Sequence, residues 1–207
     1  MKRLPTLLIA IVATMLATLV ASPGQALVSN HDVPKAYEIG KVFPGLAKTT
    51  RMLDEERRFT VPGVWCAGEK EFKAKSAMSV LYGPRYFADF ETWGTVSRPL
   101  LSVSAYEFST TKQASAVISS LRAHAKKCTS YRAEGVYVRT GYLKVGRIGD
   151  ERISMRMQAG GQDFGGFLTY TGVRQGRVVS IVVTSAEDKI SQDRLTRLTR
   201  LAVAKAK

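Results

Sequence analysis

Hydrophobic positions recur along the chain with two different periods. Residues 77–82 and, more clearly, 100–108 alternate at period two, which predicts strands. Thr110 and Gln113 then form a capping pair. After them Ala114, Val117, Ile118, Leu121, Ala125 and Cys128 recur at helical spacing, predicting a helix to about Lys127 with one apolar stripe turned to a core. Arg122, Lys126 and Lys127 load its end and complement the helix dipole, which accounts for that basic cluster without a phosphate site. Four further strands follow at about 131–140, 152–159, 164–173 and 177–184. The turn elements Gly160-Gly161-Gln162-Asp163 and Arg174-Gln175-Gly176 join the last three as an antiparallel meander. A final helix is expected from Ser185, with Asp188 as capping partner, to about Lys205. Its Ile190, Leu195, Leu198, Leu201 and Ala202 cover one arc, and Arg194 inside that arc either snorkels out or pairs with an acid.

Upstream, residues 33–59 are polar and helix-permissive, with a break at Pro44-Gly45 that predicts a short helical piece and a second helix over about 46–58. The run Asp54-Glu55-Glu56-Arg57-Arg58 reads as the solvated end of that helix, not as paired catalytic carboxylates. Tyr86, Phe87, Phe90 and Trp93 form an aromatic cluster expected in the core or at the sheet's edge.

These elements predict an α+β fold: an antiparallel sheet of about five to seven strands with helices packed on one face. Each long helix has a single apolar stripe, so both are expected on the same side. In strand 152–159 the apolar set Ile153, Met155 and Met157 then faces the helices. Arg152, Arg156 and Gln158 are left on the open face, as the polar lining of a ligand groove or as a plain solvated surface.

The N-terminus changes the compartment. Lys2 and Arg3, an uncharged Leu/Ile/Val/Ala-rich run over 7–21 and Gly24-Gln25-Ala26 have the form of an export signal cleaved after Ala26, with an uncleaved anchor as the alternative. No cysteine precedes Cys66, so lipidation of a new N-terminal cysteine is excluded. The expected organisation is a signal peptide over 1–26, a helical segment over 27–62 and an α+β domain over 63–207, secreted or in the cell envelope with no stable membrane span after cleavage. Cys66 and Cys128 are the only cysteines and in an oxidising compartment are expected to pair. The alternative is a thiol at Cys128 served by His124, four residues earlier on the same helix face.

Lys and Arg number 31 against 17 Asp and Glu, a formal charge of +14, two units of which belong to Lys2 and Arg3. The excess favours anionic partners and leaves the fold open. One reading is a polyanion-binding envelope protein using Arg174, Arg177, Arg194, Arg197 and Arg200. Nucleic acid is not expected outside the cell. The chain has two histidines, no Gly-x-Ser-x-Gly elbow, no Ser-x-x-Lys and no phosphate loop, so no metal, cofactor or catalytic residue is expected, and an unrecognised secreted hydrolase is the least favoured role.

Over residues 65–207 the chain resembles the PknH-like extracellular sensor domain of actinobacterial exported and kinase-linked proteins. The resemblance lies in the strand and helix over 100–128, in Gly149-Asp150-Glu151 opening a strand, in the paired strands over 167–183 and in the Leu/Ala-rich last helix. It implies an antiparallel sheet with helices on one face and a groove for a small or wall-derived extracellular ligand. Members often carry two disulfides, whereas this sequence can make one. It also lacks a kinase domain or spanning helix downstream, which leaves a stand-alone binding domain.

Overall fold

The computed structural model describes residues 28–61, 66, 68–83, 98–133, 136–160 and 165–206. The expected export signal, Trp65, the cluster of Tyr86, Phe87, Phe90 and Trp93, and most of the turn at 160–163 lie outside the described residues. The elements are, in order, α1 (Ala36–Gly40), a 3-10 turn (Pro44–Leu46), β1 (Thr50–Asp54), β2 (Arg58–Val61), β3 (Lys70–Lys73), β4 (Ser76–Gly83), β5 (Leu100–Glu107), α2 (Thr111–Lys127), β6 (Ser130–Ala133), β7 (Val136–Tyr142), β8 (Glu151–Gly160), β9 (Gly165–Gln175), β10 (Val178–Ala186) and α3 (Gln192–Lys205). Eight strands form one antiparallel sheet in the order β1-β4-β5-β10-β9-β8-β7-β6, and β2 and β3 pair as a separate hairpin.

The sheet thus has eight strands, not five to seven. The single strand expected over 131–140 is two, β6 and β7, and the edge strand β1 forms where a helix over 46–58 was expected. Residues 50–54 pair in register with 79–83, and cross-strand bonding overrides the local helix preference of a charged, polar segment. The charged run supplies the connection after β1, where the Glu56 carboxylate accepts from the Arg58 amide at 2.9 Å and its Nε at 3.2 Å. The last helix also begins later than Ser185. The β-branched run of β10 continues through Ala186, paired on both sides, and Ser191 caps α3 by accepting from the Arg194 amide at 3.3 Å.

A second correction concerns the faces. The two long helices lie on opposite sides of the sheet. The α2 stripe (Val117, Ile118, Leu121) packs with Val179 and Ile181 of β10 and with Ile153 and Met155 of β8. On the other side Leu195, Leu198 and Ala202 of α3 pack with Val182, Val103 and Val80, together with Ile39, Phe43 and Leu46. Both sets of alternate side chains in the central strands are apolar, so each needs a cover, and a single apolar stripe does not say which face a helix takes. Gly172 permits the close approach of α2: a Cβ there would lie 2.9 Å from Leu121 Cδ1 and 3.2 Å from Ile118 Cδ1. Arg194 is half-buried with no acidic partner among the described residues, and its guanidinium lies 5.8 Å from the Phe43 ring centroid.

Candidate functional site

Cys66 and Cys128 form a disulfide with Cα atoms 5.8 Å apart, tying the segment after β2 to the C-terminal cap of α2. A closed loop spanning 62 positions stabilises the fold by about 4 kcal/mol in the chain-entropy account. This bond removes the thiol alternative. His124 remains beside it, buried, with Nδ1 3.5 Å from Cys128 Sγ, and burial pushes its pKa below the ordinary histidine value.

From this anchored helix a cleft opens toward the outer edge of β8. The last residue of β7, Tyr142, pairs with Met155, so β7 stops short and leaves the outer edge of Glu151–Ser154 without a strand, while β9 pairs along the other edge. The chain leaves the sheet there, held by the Leu143 amide donating to Ser154 O at 2.9 Å and by Gln192 Nε2 donating to Lys144 O. It returns through Gly149 at φ +62, where a Cβ would meet Arg174 O at 2.5 Å, so glycine is required for both conformation and space. Between this loop, the β8 edge and the α2 residues Arg122 and Lys126 lies an open cleft of about 730 Å³. Tyr142 walls one side and donates to Arg122 O at 3.2 Å, while Leu143, Val145 and Ile153 add apolar surface. That mix of apolar surface with a few convergent polar groups suits a small ligand.

The charges in the cleft are unequal in their freedom. Glu151 accepts from Ser115 Oγ at 2.8 Å, Arg174 Nε at 2.8 Å and Arg122 at 3.3 Å. Partial burial alone would raise its pKa, but these hydrogen bonds and the arginine charge outweigh it and hold the carboxyl below the ordinary glutamate value. Asp150 is likewise bound to Arg174, at 2.9 Å. Lys126, Lys144 and Arg152 also line the cleft, and none has a carboxylate partner among the described residues. The Arg152 Nε donates to Val145 O at 3.4 Å, leaving the rest of its guanidinium for a ligand.

Of the three side chains expected to share a groove, Arg152 reaches this cleft and Arg156 and Gln158 do not. All three lie on one face of β8, the α3 face, yet they serve different surroundings. Arg156 is half-buried and donates to Ile190 O at 2.5 Å, and Gln158 is exposed near the far end of the strand. Sequence reasoning assigned Arg122 and Lys126 to the helix dipole alone and missed their place in the cleft. Their i,i+4 spacing on the polar side of α2 was the available signal. Among the described residues no group of three or more His, Cys, Asp or Glu is placed to hold a metal ion, and no helix is long and apolar enough to cross a membrane.

Comparison with solved structures finds the extracellular domain of PknH from Mycobacterium tuberculosis, at a TM-score of 0.55 and 10% sequence identity, covering 88% of this chain and 98% of that one. At that identity the likeness establishes a shared fold. No family model and no curated protein matches the chain.

Proposed function

We propose that the protein is an exported, non-catalytic, sensor-like domain whose cleft at the β8 edge takes a small anionic, wall-derived ligand. One observation carries the reading: Lys126, Lys144 and Arg152 converge on a cleft with apolar walls and have no carboxylate partner among the described residues. The fold shared with an extracellular domain, the disulfide and the export signal support the compartment. After cleavage the mature chain starts at Leu27 and is unlipidated, so intact mass of the secreted protein should lack residues 1–26.

The test of the site is titration calorimetry with N-acetylmuramyl dipeptide, a wall fragment carrying one free carboxylate. Binding that weakens about tenfold in each of Lys126→Ser and Arg152→Ser, with unchanged melting, supports it. Absence of binding, or binding indifferent to both substitutions, overturns it.

A further inference from the structure

The far end of the α3 face is a second basic surface, separate from the cleft. Helix α3 packs over β10, β9 and β5, leaving the β6–β7–β8 end of that face outside its cover. Register places Arg132 of β6 opposite Tyr137 of β7, and Tyr137 opposite Gly160 of β8. The next row runs Arg139, Gln158 and Phe167 across β7, β8 and β9, with the Lys189 ammonium 5.4 Å from the Phe167 ring centroid. Arg132, Tyr137, Arg139 and Gln158 are exposed, and Arg139 lies 5.3 Å from the Tyr137 ring centroid. Behind this row Arg156 holds a buried Nε with no hydrogen-bond partner. None of the described strand residues on this part of the face is acidic; Glu187 and Asp188, exposed after β10, border it.

We infer that this open sheet face binds an anionic polysaccharide, laid across the strands along the row from Arg139 to Lys189. Charge complementarity selects an anion, because the cations here lack carboxylate partners among the described residues. The surface is an exposed stretch of sheet, and the row crosses two strand spacings, about 10 Å, between Arg139 and Phe167, so a polymer with repeated contacts suits it better than a compact ligand. Gln158 and Phe167 between the terminal cations offer an amide to sugar hydroxyls and a ring to a sugar face. Tyr137 is the single exposed large hydrophobic among the described residues of the β6–β8 end of this face, too little apolar surface to enter a bilayer.

The experiment is affinity electrophoresis of the disulfide-bonded protein in native gels containing polygalacturonate, with neutral dextran, single-stranded DNA and anionic phospholipid vesicles as comparison probes. Retardation by polygalacturonate should weaken about thirtyfold in Arg132→Ser/Arg139→Ser. It should change less than about twofold in Arg197→Ser/Arg200→Ser, which removes the same charge from α3, and in Lys126→Ser, which alters only the cleft. Tyr137→Ala should weaken binding while leaving its salt dependence intact. Equal losses in the two double variants would reduce the effect to nonspecific attraction and overturn the proposal. Stronger retention by DNA or by vesicles than by polygalacturonate would overturn it as well.

Discussion

The corner around Glu151 and the open end of the sheet at β6–β8 are both rich in arginine, and they use it in opposite ways. At the corner, Arg174 is mostly buried and binds Asp150 and Glu151, and Glu151 in turn closes the β8–β9 end against α2 through Ser115 and Arg122. At the open end Arg132 and Arg139 project outward with an exposed tyrosine between them and no acid among the described strand residues of that face. Net charge therefore says little about where an anion binds; the informative quantity is which cations the chain has not already neutralised. Three of the arginines that sequence reasoning offered to a polyanion are paired within the fold: Arg174 with Asp150 and Glu151, Arg177 with Glu107 at 3.0 Å, and Arg197 with Asp193 at 3.1 Å.

Changes at the paired and packed positions on the α2 side should cost stability, and changes at the open end should cost binding. The largest effect belongs to the disulfide: Cys66→Ser/Cys128→Ser should lose about 4 kcal/mol, lowering the melting temperature by roughly 10 °C in thermal circular dichroism. Gly172→Ala should cost about 1–3 kcal/mol in urea unfolding, because its methyl meets Leu121 and Ile118, which can shift only in part. Glu151→Gln should come next, at about 1–2 kcal/mol near neutral pH. Because the folded-state pKa of Glu151 is lowered, its contribution is present above the ordinary glutamate value and is lost as pH falls through the lowered one. The variant should therefore show a flatter loss of stability on acidification than the parent, and parallel curves would show that the corner does not act through charge. Arg197→Ser, breaking an exposed pair on α3, should change stability by no more than about 0.5 kcal/mol. Arg139→Ser should be equally mild for folding, and a large loss there would mean that the open end is structural after all.

The strands from 100 onward and the α2 helix were legible because period-two and helical stripes there are long and bounded by caps and turns. Thr110 accepts from the Gln113 amide at 3.1 Å as the capping pair implied, and Gly176 at φ +58 opens the tight turn between β9 and β10. What failed depends on tertiary partners. Residues 50–54 carry no strand pattern of their own and become β1 by pairing with β4, and the side taken by each helix follows from which alternate set of a doubly buried sheet it meets. The site was half legible. Alternation in β8 put Arg152, Arg156 and Gln158 on one face and Ile153 and Met155 on the other, as found. The sequence held no sign that β7 ends at Tyr142, and that early end opens the β8 edge where Arg152 meets Arg122 and Lys126.

The most direct test of the ligand cleft is amide chemical-shift mapping by NMR during titration with N-acetylmuramyl dipeptide. The account predicts saturable shifts clustered at Ala123, Lys126, Lys144, Val145 and Arg152, with Arg139 and Gln158 unmoved. Shifts confined to the β6–β8 face, or spread over exposed basic residues without saturation, would contradict it.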